Sequence, residues 1–372
     1  MKRILSIHLS MLLAAAVAFA NQEPKWKGTI IKEGDVTVVK NPKEPIYKSE
    51  ILSLKEEIAI GGAEAKEPYS FAVIRSLAVD DAGNIYALDE KDIRIKVFDK
   101  NGKHTRSFGQ KGQGPGDLDN PSRITIDPSR NALMVRNGFL GIAFFWYDGK
   151  YQKSITIDDA KQSKNAEMDS HGCLVLNILR IQDMEHRWDV LKKYNPDLKT
   201  SSEIKSIWIG SPYDVLAPMV YWTLDPKDNI VFGYPKEYEI QVFGPQNKLL
   251  RKILKDHVPF EVSPEEKVRI SKRLKEVPLP PELASKMTIP KYYSAYPPNF
   301  IIDDLGRLFV ANWEKKGKDY IYDLFDPEGR YMARFVLPYK SILFKMGKLY
   351  TSEEDEDGYQ TIKRYAVNWN LK

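Results

Sequence analysis

The chain has 372 residues, 42% hydrophobic and 11% aromatic, which is enough apolar material to bury a large core. Its 56 basic and 51 acidic residues give a net charge of +5 without a concentrated basic stripe, which argues against a nucleic-acid partner. A single cysteine, Cys173, excludes an intramolecular disulfide and reads as a small apolar residue beside a turn.

At the start of the chain, Lys2 and Arg3 precede an apolar run over residues 4–20 that closes on Ala18-Phe19-Ala20. A charged start, an apolar stretch and a small-residue site together predict a secretory signal peptide over residues 1–20. Cleavage leaves 54 basic against 51 acidic residues, a net charge of +3. Cysteine is missing near the site, so a lipid anchor is not expected, and no later segment reads as a membrane span. The expected location is therefore the periplasm or the cell exterior.

Beyond it, a module recurs: a strand ending on an Asp-rich turn, a second strand, a variable loop, then a strand closing on a Phe/Tyr-Asp-x-x-Gly-like turn. Its clearest copy runs from Ile74 through Asp80-Asp81-Ala82-Gly83-Asn84 to Phe98-Asp99-Lys100-Asn101-Gly102. The second pairs Ile126-Asp127-Pro128 with Tyr147-Asp148-Gly149, the third Met168-Asp169-Ser170-His171-Gly172 with Asn195-Pro196-Asp197, and the fourth Asp225-Pro226-Lys227-Asp228 with Gly244-Pro245-Gln246-Asn247. The fifth joins Asp303-Asp304-Leu305-Gly306 to Asp326-Pro327-Glu328-Gly329, and a sixth has strands near 341–344, 348–352 and 360–367. Asp, Asn, Gly and Pro are what tight reversals between strands demand, and self-similarity at this spacing is the mark of a repeat architecture. The sixth copy lacks an outer strand. Residues 28–39, rich in Ile, Val and Thr, are expected to supply it and close a ring without free sheet edges.

The stretch Phe108-Gly109-Gln110-Lys111-Gly112-Gln113-Gly114-Pro115-Gly116-Asp117, with Pro121 and the strand over 124–127, resembles NHL-type repeats, as do Gly83-Asn84-Ile85-Tyr86 and Arg94-Ile95-Lys96-Val97-Phe98-Asp99. The chain is similar to exported bacterial six-bladed β-propeller proteins of the NHL-like group. That resemblance implies an all-β six-bladed β-propeller over residues 21–372, with an N-terminal strand closing the last blade, and an interaction role. Where the family has an aspartate before its Arg-Ile strand, blade one keeps Asp89 and blade two has Asn137.

A helical insertion at about 261–295 interrupts the rhythm between blades four and five. Ser263 caps, Pro264 suits the first turn, Glu266 fits a capping box, and Ile270, Leu274 and Val277 recur at helical spacing opposite Lys267, Lys272, Arg273 and Lys275. Pro278, Pro280 and Pro281 end this helix, and a second short one is expected over 281–287. The insertion leaves the upper face, where inner strands begin.

Side chains expected around the upper mouth of the channel are Arg75, Arg123, Asn165, Trp222 and Asn299 at inner-strand starts, and Asp89, Asn137, Arg180, His186, Tyr234 and Trp313 in flanking loops. Arg75, Arg123, Trp222, Asn299 and Trp313 are the preferred ligand contacts, since Arg and aromatic groups on a concave rim suit carboxylates, sugar rings and peptides. The expected role is non-catalytic binding or scaffolding by a monomer, with a glycan, peptide or envelope protein as partner. The alternative is a metal-assisted lyase or lactonase-type hydrolase at the same channel, with calcium held by Asp89, Asn137 and Asn165. Zinc is disfavoured because His104, His171 and His186 fall in different parts of the repeat. The run Glu353-Glu354-Asp355-Glu356-Asp357-Gly358 lacks EF-hand ligand order and reads as a hairpin tip, and Gly112-Gln113-Gly114-Pro115-Gly116 carries no following Lys-Ser for a phosphate loop.

Overall fold

A computed structural model describes residues 25–48, 51–183, 185–209, 213–278, 280–317, 319–337 and 343–370. The expected signal peptide lies outside the described residues, as does the expected start of the sixth copy at 341. No helix among the described residues is long and apolar enough to cross a membrane.

Each repeat folds into a blade of four antiparallel strands, and six such sheets form a ring. Blade one is Ile74–Val79, Ile85–Asp89, Arg94–Phe98 and His104–Phe108, from the axis outward. Blades two to five begin with inner strands Pro121–Asp127, Asn165–Met168, Tyr221–Leu224 and Phe300–Ile302, and blade six with Leu343–Lys345. Inner strands of neighbouring blades abut, the sixth against the first, so the ring is closed.

The repeated aspartates act on the backbone. Asp80 Oδ1 accepts from the Ala82 and Asn84 N–H groups at 3.0 and 2.8 Å, Asp225 from Lys227 and Asn229 at 2.8 and 2.9 Å, and Asp303 from Leu305 and Arg307 at 3.0 and 2.9 Å. One carboxylate thus satisfies two donors that the reversal takes out of the ladder. Gly83 at φ 83° supplies the left-handed residue that the turn requires.

Six apolar clusters fill the wedges between blades. Tyr86, Leu88, Leu133 and Phe145 join blades one and two, Val175, Leu191, Trp222 and Phe232 join three and four, and Ile60, Ile74, Phe98 and Ile362 join six and one. Between blades four and five the packing includes a charge: buried Asp323 accepts from the Tyr238 and Tyr331 hydroxyls, both at 2.7 Å, and pairs with Lys255 at 3.3 Å. Burial first and then Asp323 push the Tyr238 hydroxyl well above its ordinary range, so it stays a donor.

Ring closure corrects one expectation. An N-terminal strand does complete blade six, but it is Leu52–Gly61, paired antiparallel with Gln360–Trp369. Residues 28–39 fall in a hairpin, Thr29–Glu33 with Val36–Asn41, whose second strand runs parallel to the outer strand Leu249–Lys255 and widens blade four to six strands. The physical reason is complementarity. Leu52–Gly61 matches its partner in length, and its Glu56 and Glu57 meet Lys363, Lys348 and Arg364 at 3.3, 2.6 and 3.0 Å. Val38 and Val39, by contrast, are buried on blade four.

Between these two strands the chain crosses blade five, where Ile46 and Tyr47 donate to Tyr331 and Met332 carbonyls at 3.1 and 2.8 Å. Buried Asn41 fixes the crossing. Its Nδ2 donates to the Leu254 and Gly329 carbonyls at 3.1 and 2.9 Å, while Oδ1 accepts from Tyr331 N–H at 2.7 Å and Trp26 Nε1 at 3.0 Å. The N-terminal segment is a belt over blades four, five and six.

The insertion is helical over Pro264–Glu276 and Pro281–Ala284, and the Ser263 hydroxyl accepts from Glu266 N–H at 3.1 Å as its capping sequence requires. An unforeseen short helix, Asp158–Gln162, leads into blade three.

Candidate functional site

Strand alternation decides what faces the axis. Counting back from each turn aspartate, the third residue is Leu77, Ile124, Ala166, Trp222 or Phe300, each packed between blades at 9% exposure or less. The second and fourth are more polar, with Thr125, Glu167 and Thr223 in one row and Ser76, Arg123, Tyr221 and Asn299 in the other. These border a central cavity of about 710 Å³ to which all six inner strands contribute. Its blade two to four side carries Arg123, Glu167 and Thr223, while Ala78, Ile301 and Leu343 contribute apolar patches among Arg75, Asn299 and Lys345 on the blades opposite.

Arg75, Arg123 and Asn299 line this cavity. Arg75 is the freest of them, with a side chain 53% exposed and its nearest carboxylate, Glu90, at 4.0 Å. Arg123 is held across the blade boundary: Nη2 meets Glu167 Oε1 at 2.9 Å. Burial lowers its basicity, but Glu167 and Tyr221 more than offset this and raise it above the ordinary arginine value. Glu167 in turn accepts from Leu224 N–H at 3.0 Å and lies 3.3 Å from Thr223 Oγ1. Asn299 Nδ2 donates to the Tyr322 hydroxyl at 3.2 Å. Arg123, Glu167 and Thr223 therefore form a fixed polar bridge over three blades, with Arg75 more exposed at the mouth.

The other preferred contacts lie elsewhere. Trp222 is 1% exposed and donates from Nε1 to Asn177 Oδ1 at 3.0 Å, so it is a core residue, because its position in the strand faces the neighbouring blade. Trp313 stacks on Tyr293 with ring centroids 4.2 Å apart and donates to the Ser294 carbonyl at 2.7 Å, which pins the insertion to blade five.

Nor do the suggested calcium ligands converge. Asp89 is buried and accepts from Ala72 and Val73 N–H at 2.9 and 3.0 Å. Asn137 takes the same role one blade on, accepting from Asp119 N–H at 2.6 Å and donating to the Asp117 carbonyl at 2.9 Å. Asn165 Oδ1 accepts from the next residue's N–H at 3.0 Å. Their oxygens serve the backbone, and the described residues contain no group of three or more His, Cys, Asp and Glu able to hold a metal ion. Of the flanking residues, Arg180 pairs with Glu203 and His186 with Asp183, each at 2.8 Å, and the Tyr234 hydroxyl points to the Trp208 carbonyl at 3.5 Å.

Sequence reasoning missed Glu167 and Thr223. The signal was available, since both stand two residues before a repeat aspartate, in the row that faces the axis. A second cleft of about 290 Å³ opens at the other end of blades one and two. There Tyr86 donates to Asp80 at 3.0 Å, and burial followed by Asp80 pushes the Tyr147 hydroxyl up to about 12.

Residues 50–203 match the model of a family described as a 6-bladed beta-propeller, DUF5128. No curated protein matches the chain. Among solved structures, a member of the DUF4221 family from Bacteroides vulgatus is 11% identical, with 86% of this chain and 99% of that one covered and a TM-score of 0.55. A Bacteroides fragilis protein inferred to be exported is 13% identical, with 89% and 99% covered and a TM-score of 0.56. A gluconolactonase from Xanthomonas campestris is 10% identical, with 86% and 99% covered and a TM-score of 0.48. At these identities the likeness concerns the fold: this chain is a six-bladed β-propeller with a family-model match over its first blades.

Proposed function

We propose that the protein is an exported, monomeric propeller that binds rather than catalyses, recognising a glycan, peptide or envelope protein at the upper mouth of its channel in the periplasm or outside the cell. The observation that carries this reading is the central cavity of about 710 Å³ with Arg75, Arg123 and Asn299 on its wall. A rigid ring of inner strands presents Arg75, paired with Glu90 only at 4.0 Å, Arg123 oriented by Glu167, and apolar patches from Ala78, Ile301 and Leu343. Such a site suits a ligand with an anionic or hydroxyl-rich side and an apolar side. The bridge residue Glu167 spends its oxygens on Arg123, Thr223 and Leu224, which favours a positioning role over proton transfer.

The test is a glycan and peptide array followed by calorimetry on hits. Arg75→Ala is expected to weaken an authentic ligand by about tenfold, as loss of a charge-assisted hydrogen bond does, with the fold intact. Arg123→Ala is less clean because it leaves Glu167 half-partnered. Binding unchanged in both Arg75→Ala and Asn299→Ala removes the channel mouth as the site.

A further inference from the structure

The upper face carries a second built surface. The connection from blade three to blade four and the insertion from blade four to blade five are knitted together: Thr288 N–H donates to the Tyr213 carbonyl at 2.8 Å, and Val215 N–H to the Thr288 carbonyl at 3.1 Å. A second bridge, between Glu261 and Tyr292, closes the base of the insertion, where Tyr293 N–H donates to the Phe260 carbonyl at 2.9 Å and its ring stacks on Trp313. The two connections form one ordered cap over blades three to five.

This cap is unusual in what it exposes. The helix Pro264–Glu276 has no buried residue. Ile270 and Leu274 are half-buried, as are Glu266 and Lys267, whereas Lys272, Arg273 and Lys275 are exposed, and no carboxylate lies within ion-pair distance of these three among the described residues. Val268 at 70% exposure and Val277 at 49% accompany these cations along the chain, while Trp208, ending the strand Ser201–Trp208, at 55% and Met219 of the other connection at 59% are exposed at the same end of the ring. Strand direction places all of them at the end of the ring where inner strands begin.

We infer that this cap is a docking surface for an acidic protein segment whose carboxylates alternate with apolar anchors. Charge complementarity selects the sign of the partner. Exposed apolar side chains and unpaired cations on one end of the ring are the components of protein interfaces, where apolar anchors give affinity and charges set encounter and partner choice. An anionic bilayer fits less well, because a helix seated on lipid turns its apolar side outward, and here Ile270 and Leu274 turn inward. The last-turn cations also complement the helix dipole, but that accounts for their place near the C-terminus and not for the exposed apolar side chains at the same end of the ring. The inference goes beyond the channel reading, and either stands without the other.

The experiment uses the purified protein and a fluorescent peptide that alternates Glu with Leu and Phe, read by anisotropy. The Lys-for-Glu peptide and phosphatidylcholine vesicles containing phosphatidylglycerol serve as competing probes. Expected is saturable binding of the acidic peptide that weakens as salt rises. A triple variant carrying Lys272→Glu, Arg273→Glu and Lys275→Glu should weaken it by about tenfold or more, and Trp208→Ala by several-fold. Arg75→Ala should leave it unchanged, which separates the cap from the channel. These side chains are exposed, and an unchanged thermal midpoint verifies that each variant folds. The inference is overturned if the triple variant binds the acidic peptide as well as the parent does, if the peptide shows no saturable binding, or if the vesicles bind the parent and displace the peptide.

Discussion

Replacing Asn41 by Ala tests whether the N-terminal belt is structural. The side chain is 3% exposed and makes four hydrogen bonds, one to Trp26 of its own segment, one to blade four and two to blade five. The Leu254 carbonyl lies within a strand and loses little when Nδ2 is removed. Tyr331 N–H is different, because it is buried and its 2.7 Å partner disappears. A stranded donor of this kind costs about 1–3 kcal/mol, and loss of the Gly329 and Trp26 bonds adds about 1 kcal/mol, for a total of about 2–4 kcal/mol. Asn41→Asp refines the point: it keeps acceptors for Tyr331 and Trp26 but turns a carboxylate toward two carbonyls, so it should be no better than Ala. The assay is urea unfolding followed by tryptophan fluorescence, read as a midpoint shift at constant slope. A loss below about 1 kcal/mol for Ala, with Asp indistinguishable from the parent, refutes the idea that the belt couples blades four and five.

Trp222→Ala should destabilise by about 3–5 kcal/mol by opening the core between blades three and four, while Trp222→Phe retains most of the stability; denaturant midpoints distinguish this from a ligand contact, which would leave them unchanged. Glu57, on the closing strand, is held below the ordinary glutamate range chiefly by its hydrogen bond to Lys348 at 2.6 Å, so its contribution is present above that range and is lost as pH falls through its lowered folded value. Thermal midpoints measured from pH 7 down to acid should therefore decline once pH falls below the ordinary glutamate range, a decline that Glu57→Gln flattens. Chelation should leave the thermal midpoint unchanged, since Asp89, Asn137 and Asn165 are bonded to the backbone; a drop on adding chelator that calcium restores would contradict this.

The ring was legible because each turn is written locally. Asp80, Asp225 and Asp303 serve two backbone donors within four residues, so the residue types name the reversal without knowledge of the partner strand. Closure was harder, because Leu52–Gly61 pairs with a strand some three hundred residues away and carries Lys55, Glu56 and Glu57, which look like a loop until Lys363, Lys348 and Arg364 are brought opposite them. The site was half legible for a related reason. Arg75, Arg123 and Asn299 follow from lying near inner-strand starts, but the choice of Trp222 weighed residue type over strand parity. One residue of register separates a side chain on the axis from one in the core. The same parity would have brought out Glu167 and Thr223.

The belt and the cap meet on one blade, and this suggests why the belt exists. Blade four has inner strands of only four residues, Tyr221–Leu224 and Ile230–Gly233, yet it carries the longest connection in the ring. Gly233 shows how tightly that connection returns: a Cβ there would stand 2.4 Å from both the Phe300 ring and the Tyr296 hydroxyl, two side chains at the insertion's exit. The hairpin Thr29–Glu33 with Val36–Asn41 adds two strands to the outer edge of blade four, and Asn41 ties that edge to blade five, where the insertion ends. A partner that pulls on the cap therefore loads blades four and five, the pair that the belt and the Asp323–Tyr238–Tyr331–Lys255 network hold together. If so, Asn41→Ala should raise hydrogen exchange in the cap helix and in Leu249–Lys255 while leaving blades one and two protected; exchange that rises uniformly around the ring would mean that the belt only closes the circle and does not brace the cap.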